Sequence, residues 1–331
     1  MALRAQRISG CADRIAALAW SPHGNAVVAG SLSGETLVVD KTTSESIKLA
    51  EHALGTLSVD WSPGGVVASG GQDGVVRLWS PTTGPVGRVE GSGWCQQLRW
   101  DPSGRHLAAA VGTDLIVVDA DGSGGERHLG LGSTVTAVAW SPNGLRVGAT
   151  VYGGIRWFEP GVGEEVRSFD WKGSMLSLAV APTGKWVAAG TQEGTVRVYR
   201  LWSADDLEMT GYPGKVTVLG WTPDGSRLSV ADTEGVTTWN FKGRGPAGTR
   251  PDSLSGHDGR VTALQWSPDR RLIVTGCTDH LVRVYSGSKR AKPDEVFDVG
   301  SEISTLAWSP NGSSIAVGAA DGSLWMISSA R

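Results

Sequence analysis

The sequence predicts an all-β fold: a closed eight-bladed β-propeller of four-stranded antiparallel blades. Three observations carry this prediction. A segment whose anchor is tryptophan in seven copies and Val180 in the other recurs eight times, each copy alternates apolar and polar residues with a period of two, and 47 of the 331 residues are glycine. Glycine at about twice its usual share of roughly 7 % indicates many tight turns, and argues against a helical bundle, a collagen-like chain or a disordered chain.

The repeat is marked by the tripeptide Trp-Ser-Pro or a close variant of it. Consecutive anchors lie 41, 39, 40, 40, 41, 45 and 42 residues apart, a period typical of a propeller blade. The eight copies leave no room for a second domain, so residues 1–331 are predicted to form one. The anchor positions are Trp20, Trp61, Trp100, Trp140, Val180, Trp221, Trp266 and Trp308.

Each copy contains the same predicted elements in the same order. An alternating strand enters the anchor, as in residues 135–140, and a Pro-x-Gly turn follows, as in residues 142–144. A short strand of small residues comes next (66–70 in the second copy), and a tight Asp-Gly hairpin at Asp73 leads into the third strand. The fourth strand, such as residues 87–90, is the most variable.

The two chain ends are predicted to share one blade. The last copy supplies only three strands, of which the third is residues 323–327. Residues 3–8 stand where other copies carry their fourth strand, and they are therefore predicted to complete this blade and close the ring. Closure removes the exposed sheet edges of an open array. We expect eight blades, because seven would leave one fully patterned copy unpacked.

The seventh copy shows to which family the pattern is similar. It combines Gly256-His257, the anchor Trp266-Ser-Pro-Asp, Asp279 and a strand that ends at Tyr285. This pattern resembles the WD40-repeat family over essentially the whole chain. The resemblance implies a non-enzymatic scaffold or adaptor subunit that binds other proteins through the face around the channel mouth. A propeller fold serves many functions, so the fold alone names no partner.

The resemblance also implies a buried hydrogen-bonded chain of His, Ser or Thr, Asp and Trp, with the His nine residues before the anchor. In the second copy its members are His52, Ser69, Asp73 and Trp79. The seventh copy offers His257, Thr275, Asp279 and Tyr285. His, Ser and Asp together also suggest a nucleophilic triad. The repeat spacing and the expected burial of the Ser favour a structural role, and we expect no catalytic residues.

Partner-binding residues are expected on the channel-mouth face, in the loops that enter the first strands and in the hairpins between second and third strands. Trp94 is singled out because its glycine-flanked loop has no repeat function that requires an aromatic residue, and aromatic residues are common interface anchors. Trp171 and Tyr212 occupy the His position of their copies and are interpreted as plugs between blades rather than as ligands. The candidate face comprises Arg14, Trp94, Lys215, Arg260, Glu302, Gln72 and Gln192.

A secondary basic patch is predicted in the loops between third and fourth strands of copies six and seven. These loops have few acidic residues, and either a solvated loop pair or a site for an acidic partner or a nucleic-acid backbone fits them. Aromatic residues do not alternate with the basic ones, which argues against base stacking. The patch comprises Lys242, Arg244, Arg250, Lys289, Arg290 and Lys292.

Charge, cysteine content and apolar runs indicate which cofactors, metal sites and cellular locations to expect. The formal net charge is −3, and the three cysteines are too few and too widely spaced for a disulfide framework or a zinc site. We expect no cofactor and no metal. The absence of an apolar leader or a membrane-length apolar run favours a cytoplasmic location, and the abundance of Ala, Gly and Val is compatible with a GC-rich bacterial source. Two alternatives stay open: a propeller hydrolase or lyase acting at the channel mouth, and a nucleic-acid-binding accessory subunit.

Overall fold

The computed structural model describes residues 3–128, 130–203, 205–233, 235–243, 245–286 and 292–329. These ranges fold into antiparallel β-strands, and no helix among them is long and apolar enough to cross a membrane. The first fifteen strands are β1 (Leu3–Gly10), β2 (Ile15–Trp20), β3 (Ala26–Ser31), β4 (Glu35–Asp40), β5 (Ser46–Glu51), β6 (Thr56–Trp61), β7 (Val67–Gly71), β8 (Val75–Ser80), β9 (Gly84–Glu90), β10 (Cys95–Trp100), β11 (His106–Val111), β12 (Asp114–Asp119), β13 (Gly125–His128), β14 (Ala137–Trp140) and β15 (Val147–Phe158). The other fifteen are β16 (Glu165–Val180), β17 (Trp186–Thr191), β18 (Val196–Arg200), β19 (Asp206–Met209), β20 (Val218–Trp221), β21 (Arg227–Ala231), β22 (Val236–Asn240), β23 (Asp252–Leu254), β24 (Val261–Trp266), β25 (Leu272–Cys277), β26 (Leu281–Ser286), β27 (Glu295–Asp298), β28 (Ile303–Trp308), β29 (Ser314–Ala319) and β30 (Ser323–Ser329).

The strands of the described residues form seven hydrogen-bonded sheets. Six of these sheets have four antiparallel strands: β2–β5, β6–β9, β10–β13, β20–β23, β24–β27 and the sheet of β28, β29, β30 and β1. The seventh sheet has six strands, β14 to β19. The prediction of eight separate four-stranded blades is therefore wrong, because the propeller has seven blades when each sheet is counted as one.

Two sequence repeats are merged in the six-stranded sheet. Strand β16 pairs with β15 through residues 165–174 and with β17 through residues 175–180, so one strand belongs to both copies four and five. Strand β15 pairs with β14 through residues 147–150 and with β16 through residues 152–158. Near this change of partner, Gly153 and Gly154 have φ angles of 100° and 136°. Each of these long strands therefore carries two of the expected strands, and the eight repeats are distributed over seven sheets.

The N-terminal strand closes the ring, as the sequence predicts. Strand β1 is hydrogen-bonded to β30 along its whole length, from Leu3 opposite Ser329 to Gly10 opposite Ser323. The outermost strand of this sheet thus comes from one end of the chain and the other three strands come from the opposite end. Residues more than 300 positions apart in sequence must therefore meet before the last sheet is complete.

The anchor tryptophans hold neighbouring repeats together. In four copies the indole Nε1–H donates to the backbone carbonyl of the residue that precedes the anchor position of the previous copy, and the rings are largely buried in the described structure. Because a buried N–H needs an acceptor, this contact fixes the spacing between repeats. The pairs are Trp20 to Ala307 (2.8 Å), Trp140 to Arg99 (2.9 Å), Trp221 to Ala179 (3.1 Å) and Trp308 to Gln265 (3.3 Å).

Candidate functional site

The propeller presents two different faces. We call the upper face the one formed by the loops that enter the first strand of each repeat and by the hairpins between second and third strands. The lower face carries the Pro-x-Gly turns and the loops between third and fourth strands. Arg14, Trp94, Arg260 and Glu302 each immediately precede the first strand of a repeat, so they lie on the upper face around the channel mouth.

Trp94 projects from the upper face because its glycine neighbours let the loop lie close to the rest of its repeat. A Cβ added at Gly91 would come within 2.2 Å of Val111 Cγ1, and one at Gly93 would come within 3.0 Å of Gly112 Cα. The carbonyl of Trp94 accepts a hydrogen bond from the Gly112 N–H at 3.0 Å. The backbone is thus held down while the indole remains 52 % exposed.

The rim of the channel is divided into a neutral part and a charged part. Copies two to five contribute Gly55, Trp94, Thr134 and Ser174, whereas copies six, seven, eight and one contribute Lys215, Arg260, Glu302 and Arg14. Arg14 and Glu302 pair at 3.6 Å across the closure of the ring. Lys215 and Arg260 are exposed, and neither forms an ion pair with another described residue.

The neutral part of the upper face also carries most of its exposed apolar side chains. Leu54, Trp94 and Tyr152 are exposed there, in the loops of copies two, three and four, and Leu32 is exposed in the loop of copy one. A group of exposed large apolar residues on one side of a soluble protein is typical of an interaction surface.

The two predicted glutamines are placed differently. Gln72 Oε1 accepts a hydrogen bond from the Gly55 N–H at 3.2 Å, so its side chain ties two upper-face loops together. Gln192 is exposed, and its backbone N–H donates to the Ser174 carbonyl at 3.0 Å. Only Gln192 therefore presents its amide freely to solvent.

The buried chain predicted in the second copy forms in part. His52 Nδ1 lies 2.8 Å from Asp73 Oδ1, and His52 Nε2 lies 3.0 Å from Ser69 Oγ. Trp79 does not join the chain: its indole nitrogen is buried and has no hydrogen-bond partner among the described residues. Arg77, which the sequence reasoning missed, donates to Asp73 Oδ2 at 3.1 Å. Arg77 lies four residues after Asp73 and so points to the same side of the sheet. This spacing was the signal in the sequence that could have indicated their contact.

Burial sets the charge states in this group. It lowers the pKa of His52, although the hydrogen bond with Asp73 opposes that shift, so the ring is neutral near pH 7. Burial alone would raise the pKa of Asp73, but the hydrogen bonds from His52 and from the Val75 and Ala53 backbone N–H groups hold it below its usual value. A neutral His and an ionised Asp that are hydrogen-bonded to each other and to the backbone form a structural group.

The seventh copy uses the same residue types in another arrangement. His257 Nε2 lies 2.9 Å from Thr275 Oγ1 and 3.3 Å from the Tyr285 hydroxyl. Asp279 does not hydrogen-bond the ring, because Arg283 holds its two oxygens at 3.0 and 2.6 Å. Burial, followed by the Arg283 charge, lowers the pKa of His257 to about 4.

Replacing Asp73 with Ala is expected to lower the free energy of unfolding by about 1–3 kcal/mol, because the buried His52 ring loses its partner. Since the pKa of Asp73 lies below its usual value of 3.8, this contribution is present above that pH and is lost as the pH falls through the folded-state pKa. Urea denaturation at neutral and acidic pH measures both effects.

Asp321→Ala is the matched control for Asp73→Ala. Asp321 occupies the same hairpin position in the last repeat, but its partner is the Ser323 hydroxyl rather than a histidine. We expect the control to cost less stability. Unchanged stability of Asp73→Ala combined with lost partner binding would instead assign Asp73 to a binding site.

Trp171 and Tyr212 stand where the His stands in other repeats. The Tyr212 ring is buried, and its hydroxyl accepts a hydrogen bond from Trp239 Nε1 at 2.9 Å. Trp171 is half-buried against the apolar cluster that contains Phe169 and Met175. Both rings therefore fill space between repeats.

The basic patch is only partly described. Lys242, Arg250 and Lys292 are exposed on the lower face, whereas Arg244, Lys289 and Arg290 lie outside the described residues. The loop of copy six is anchored by Phe241, whose buried ring contacts Trp186 and Trp221 edge-on at centroid distances of 5.5 and 4.7 Å.

The inner strands enclose a channel whose larger cavity measures about 920 Å³. Asp60 and Arg99 are the charged residues among the described side chains that line it. Sequence reasoning missed both, although the residue before each anchor reads Ala, Asp, Arg, Ala, Ala, Gly, Gln, Ala around the ring. Burial raises the pKa of Asp60, and the Arg99 charge partly offsets this rise.

Comparison with known proteins agrees with the repeat and with the fold. Four segments match the family described as WD domain, G-beta repeat: residues 44–80, 163–200, 248–286 and 295–328. The chain is 27 % identical over 175 residues to WD repeat-containing protein AAC3 of Dictyostelium discoideum, which covers 49 % of this chain and 36 % of that protein. It is 39 % identical over 66 residues to ribosome biogenesis protein erb1 of Aspergillus niger, which covers 19 % of this chain and 8 % of that protein. These matches thus span about a third or less of each relative.

Two solved structures are similar over nearly the full chain. The computationally designed Ika8 protein superposes with a TM-score of 0.83 over 98 % of both chains at 23 % identity. Sqt1 from Chaetomium thermophilum superposes with a TM-score of 0.84 over 97 % of this chain and 98 % of its own at 17 % identity. At these identities the likeness shows the fold alone.

Proposed function

Because the chain belongs to the WD40-repeat family, we propose that it is a non-enzymatic adaptor that binds another protein through its upper face. The observation that carries this proposal is the exposed Trp94 indole, held outward by a loop whose backbone is fixed. A large aromatic ring in water contributes little to the monomer. At an interface, such a ring can contribute 2 kcal/mol or more.

The surroundings of Trp94 suit a protein partner. The neutral part of the rim carries two further exposed apolar side chains, Leu54 and Tyr152, in the loops of the copies before and after that of Trp94. The charged part adds Lys215 and Arg260, whose exposed side chains are available to orient a partner electrostatically. An apolar centre with charged groups at its edge is the usual composition of a transient protein interface.

Trp94→Ala is expected to weaken partner binding roughly tenfold or more, which corresponds to about 1.4 kcal/mol, while the melting temperature stays nearly unchanged. The partner is first identified by affinity purification of the tagged wild-type chain from its native source, followed by mass spectrometry. Purified partner is then titrated against wild-type and variant protein by calorimetry.

Trp202→Ala is the matched control, because Trp202 is a second exposed tryptophan but lies on the lower face. Its ring is 46 % exposed and is stacked under the Arg146 guanidinium at 4.3 Å. The control is expected to bind the partner as the wild type does. Loss of binding in Trp202→Ala with retention in Trp94→Ala would show that the lower face is the one used.

A further inference from the structure

The inner edge of each sheet exposes backbone N–H groups to the channel, and side chains of the preceding repeat accept hydrogen bonds from some of them. Asp60 Oδ2 accepts from the Trp100 N–H at 2.9 Å. Gln265 Oε1 accepts in the same way from the Trp308 N–H at 2.6 Å. Both Asp60 and Gln265 immediately precede an anchor position, and the N–H that each one satisfies belongs to the next anchor.

Arg99 occupies the same position in the third repeat, but its side chain cannot accept a hydrogen bond from the next anchor. A guanidinium has five N–H donors and no acceptor. Arg99 therefore lies beside the Trp140 anchor, whose indole already donates to the Arg99 carbonyl at 2.9 Å, without being able to accept from its backbone N–H. The Val138 N–H, two residues earlier on the same edge, is satisfied by Gln97 Oε1 at 2.9 Å. Since N–H groups two residues apart point the same way in a strand, the Trp140 N–H also faces the channel.

The donors of Arg99 are largely unused. Its side chain is exposed to the channel, and its hydrogen bond within the described structure joins Nη1 to the neighbouring Leu98 carbonyl at 2.8 Å. Asp60 forms no ion pair with Arg99 within 4 Å, and its two oxygens accept from the Trp61 and Trp100 N–H groups. Arg99 and Trp140 therefore line the same cavity, and no described side chain accepts a hydrogen bond from the Trp140 backbone N–H.

The cavity has room for a ligand at this point. Arg99 lines two cavities of about 920 and 630 Å³, each within the range of small-molecule sites. Small residues occupy most of the equivalent positions around the ring, so few side chains fill the channel at this level. These residues are Ala19, Ala139, Ala179, Gly220 and Ala307.

We propose that Arg99 and the Trp140 backbone N–H form a binding site for an oxyanion, a carboxylate or a phosphate group, in the channel. The ligand oxygens accept from the guanidinium and from the N–H, as the Asp60 carboxylate does for Trp100 one repeat earlier. Charge-assisted hydrogen bonds of this kind are roughly twice as strong as neutral ones. This site is separate from the upper-face patch around Trp94, so its test is independent of the test of the proposed adaptor function.

The test is a titration of the ¹⁵N-labelled full-length protein with inorganic phosphate and, separately, with succinate, at constant ionic strength maintained with sodium chloride. The Trp140 backbone amide signal is expected to shift in a saturable manner with one or both anions. A response to phosphate alone, or to succinate alone, identifies the class of oxyanion. No saturable shift of that amide with either anion would overturn the proposal.

Variants separate a specific site from general attraction of anions. Arg99→Gln is expected to weaken binding at least tenfold, and Arg99→Lys to weaken it less, because Lys keeps the charge without the planar donors. Asp60→Asn is expected to strengthen binding severalfold, since it removes the nearby negative charge. Arg105→Gln, on an exposed arginine outside the cavity, is the control and should bind as the wild type does. Unchanged binding in both Arg99 variants would contradict the proposed site.

Discussion

Deletion of residues 1–9 is expected to lower the melting temperature by roughly 6 °C or more, corresponding to a loss of about 4 kcal/mol or more in unfolding free energy. Strand β1 is the outer strand of the sheet that joins the two chain ends. Its removal exposes the hydrogen-bonding edge of β30 from Ser323 onward. It also removes Leu3, Ala5 and Ile8, which pack against the apolar clusters of the last and first repeats.

A circular permutant provides the control for this deletion. Because β1 is antiparallel to β30, with Leu3 opposite Ser329, a short linker from the C-terminus to the N-terminus would turn them into an ordinary hairpin. New termini between Gly10 and Cys11 would leave every strand intact. The permutant is expected to recover most of the lost stability in thermal and urea denaturation. A deletion variant that melts with the full-length protein would show that the ring does not depend on this strand.

Much of the fold follows from the anchors and turns. The period of the anchors predicts the repeats, and the position of residues 3–8, where other copies carry their fourth strand, predicts their place beside the last repeat. Both predictions depend on local patterns that each copy repeats. The merger of copies four and five into one sheet depends instead on the connection between them, which continues as part of a strand. The connections into the first strands of copies six and seven contain a glycine with positive φ, Gly211 and Gly256 respectively. Gly173 has no positive φ, and the chain stays extended through β16.

The candidate site was predictable only where one residue stands out from the repeat. Trp94 does so, because no repeat role calls for an aromatic residue there, and its exposure agrees with the reason for choosing it. Trp79 fits the repeat pattern, yet its indole nitrogen has no partner among the described residues, and the side chain of the same strand that contacts Asp73 is Arg77. Arg99 is unusual only when the same position is compared in all repeats and the neighbouring N–H is known.

Trp20→Ala is expected to lower the free energy of unfolding by about 3–5 kcal/mol, the usual cost of truncating a large buried aromatic residue. Trp20 lies at the seam between the first and last repeats, packed against Ala307, Ala316 and Met326. Its Nε1–H donates to the Ala307 carbonyl at 2.8 Å. The substitution therefore opens a cavity and breaks a hydrogen bond at the place where the ring is closed. Urea denaturation monitored by circular dichroism measures the change.

Two further variants separate the packing of Trp20 from its hydrogen bond. Trp20→Phe keeps most of the apolar contact but leaves the Ala307 carbonyl without its donor, so it is expected to cost about 1 kcal/mol. Trp202→Ala, at an exposed tryptophan, should change stability by less than either. Because Ile8 of β1 packs in the same cluster as Trp20, combining Trp20→Ala with the deletion of residues 1–9 should cost less than the sum of the two changes. Full additivity would show that β1 and Trp20 stabilise the protein independently, and that the seam is not one cooperative unit.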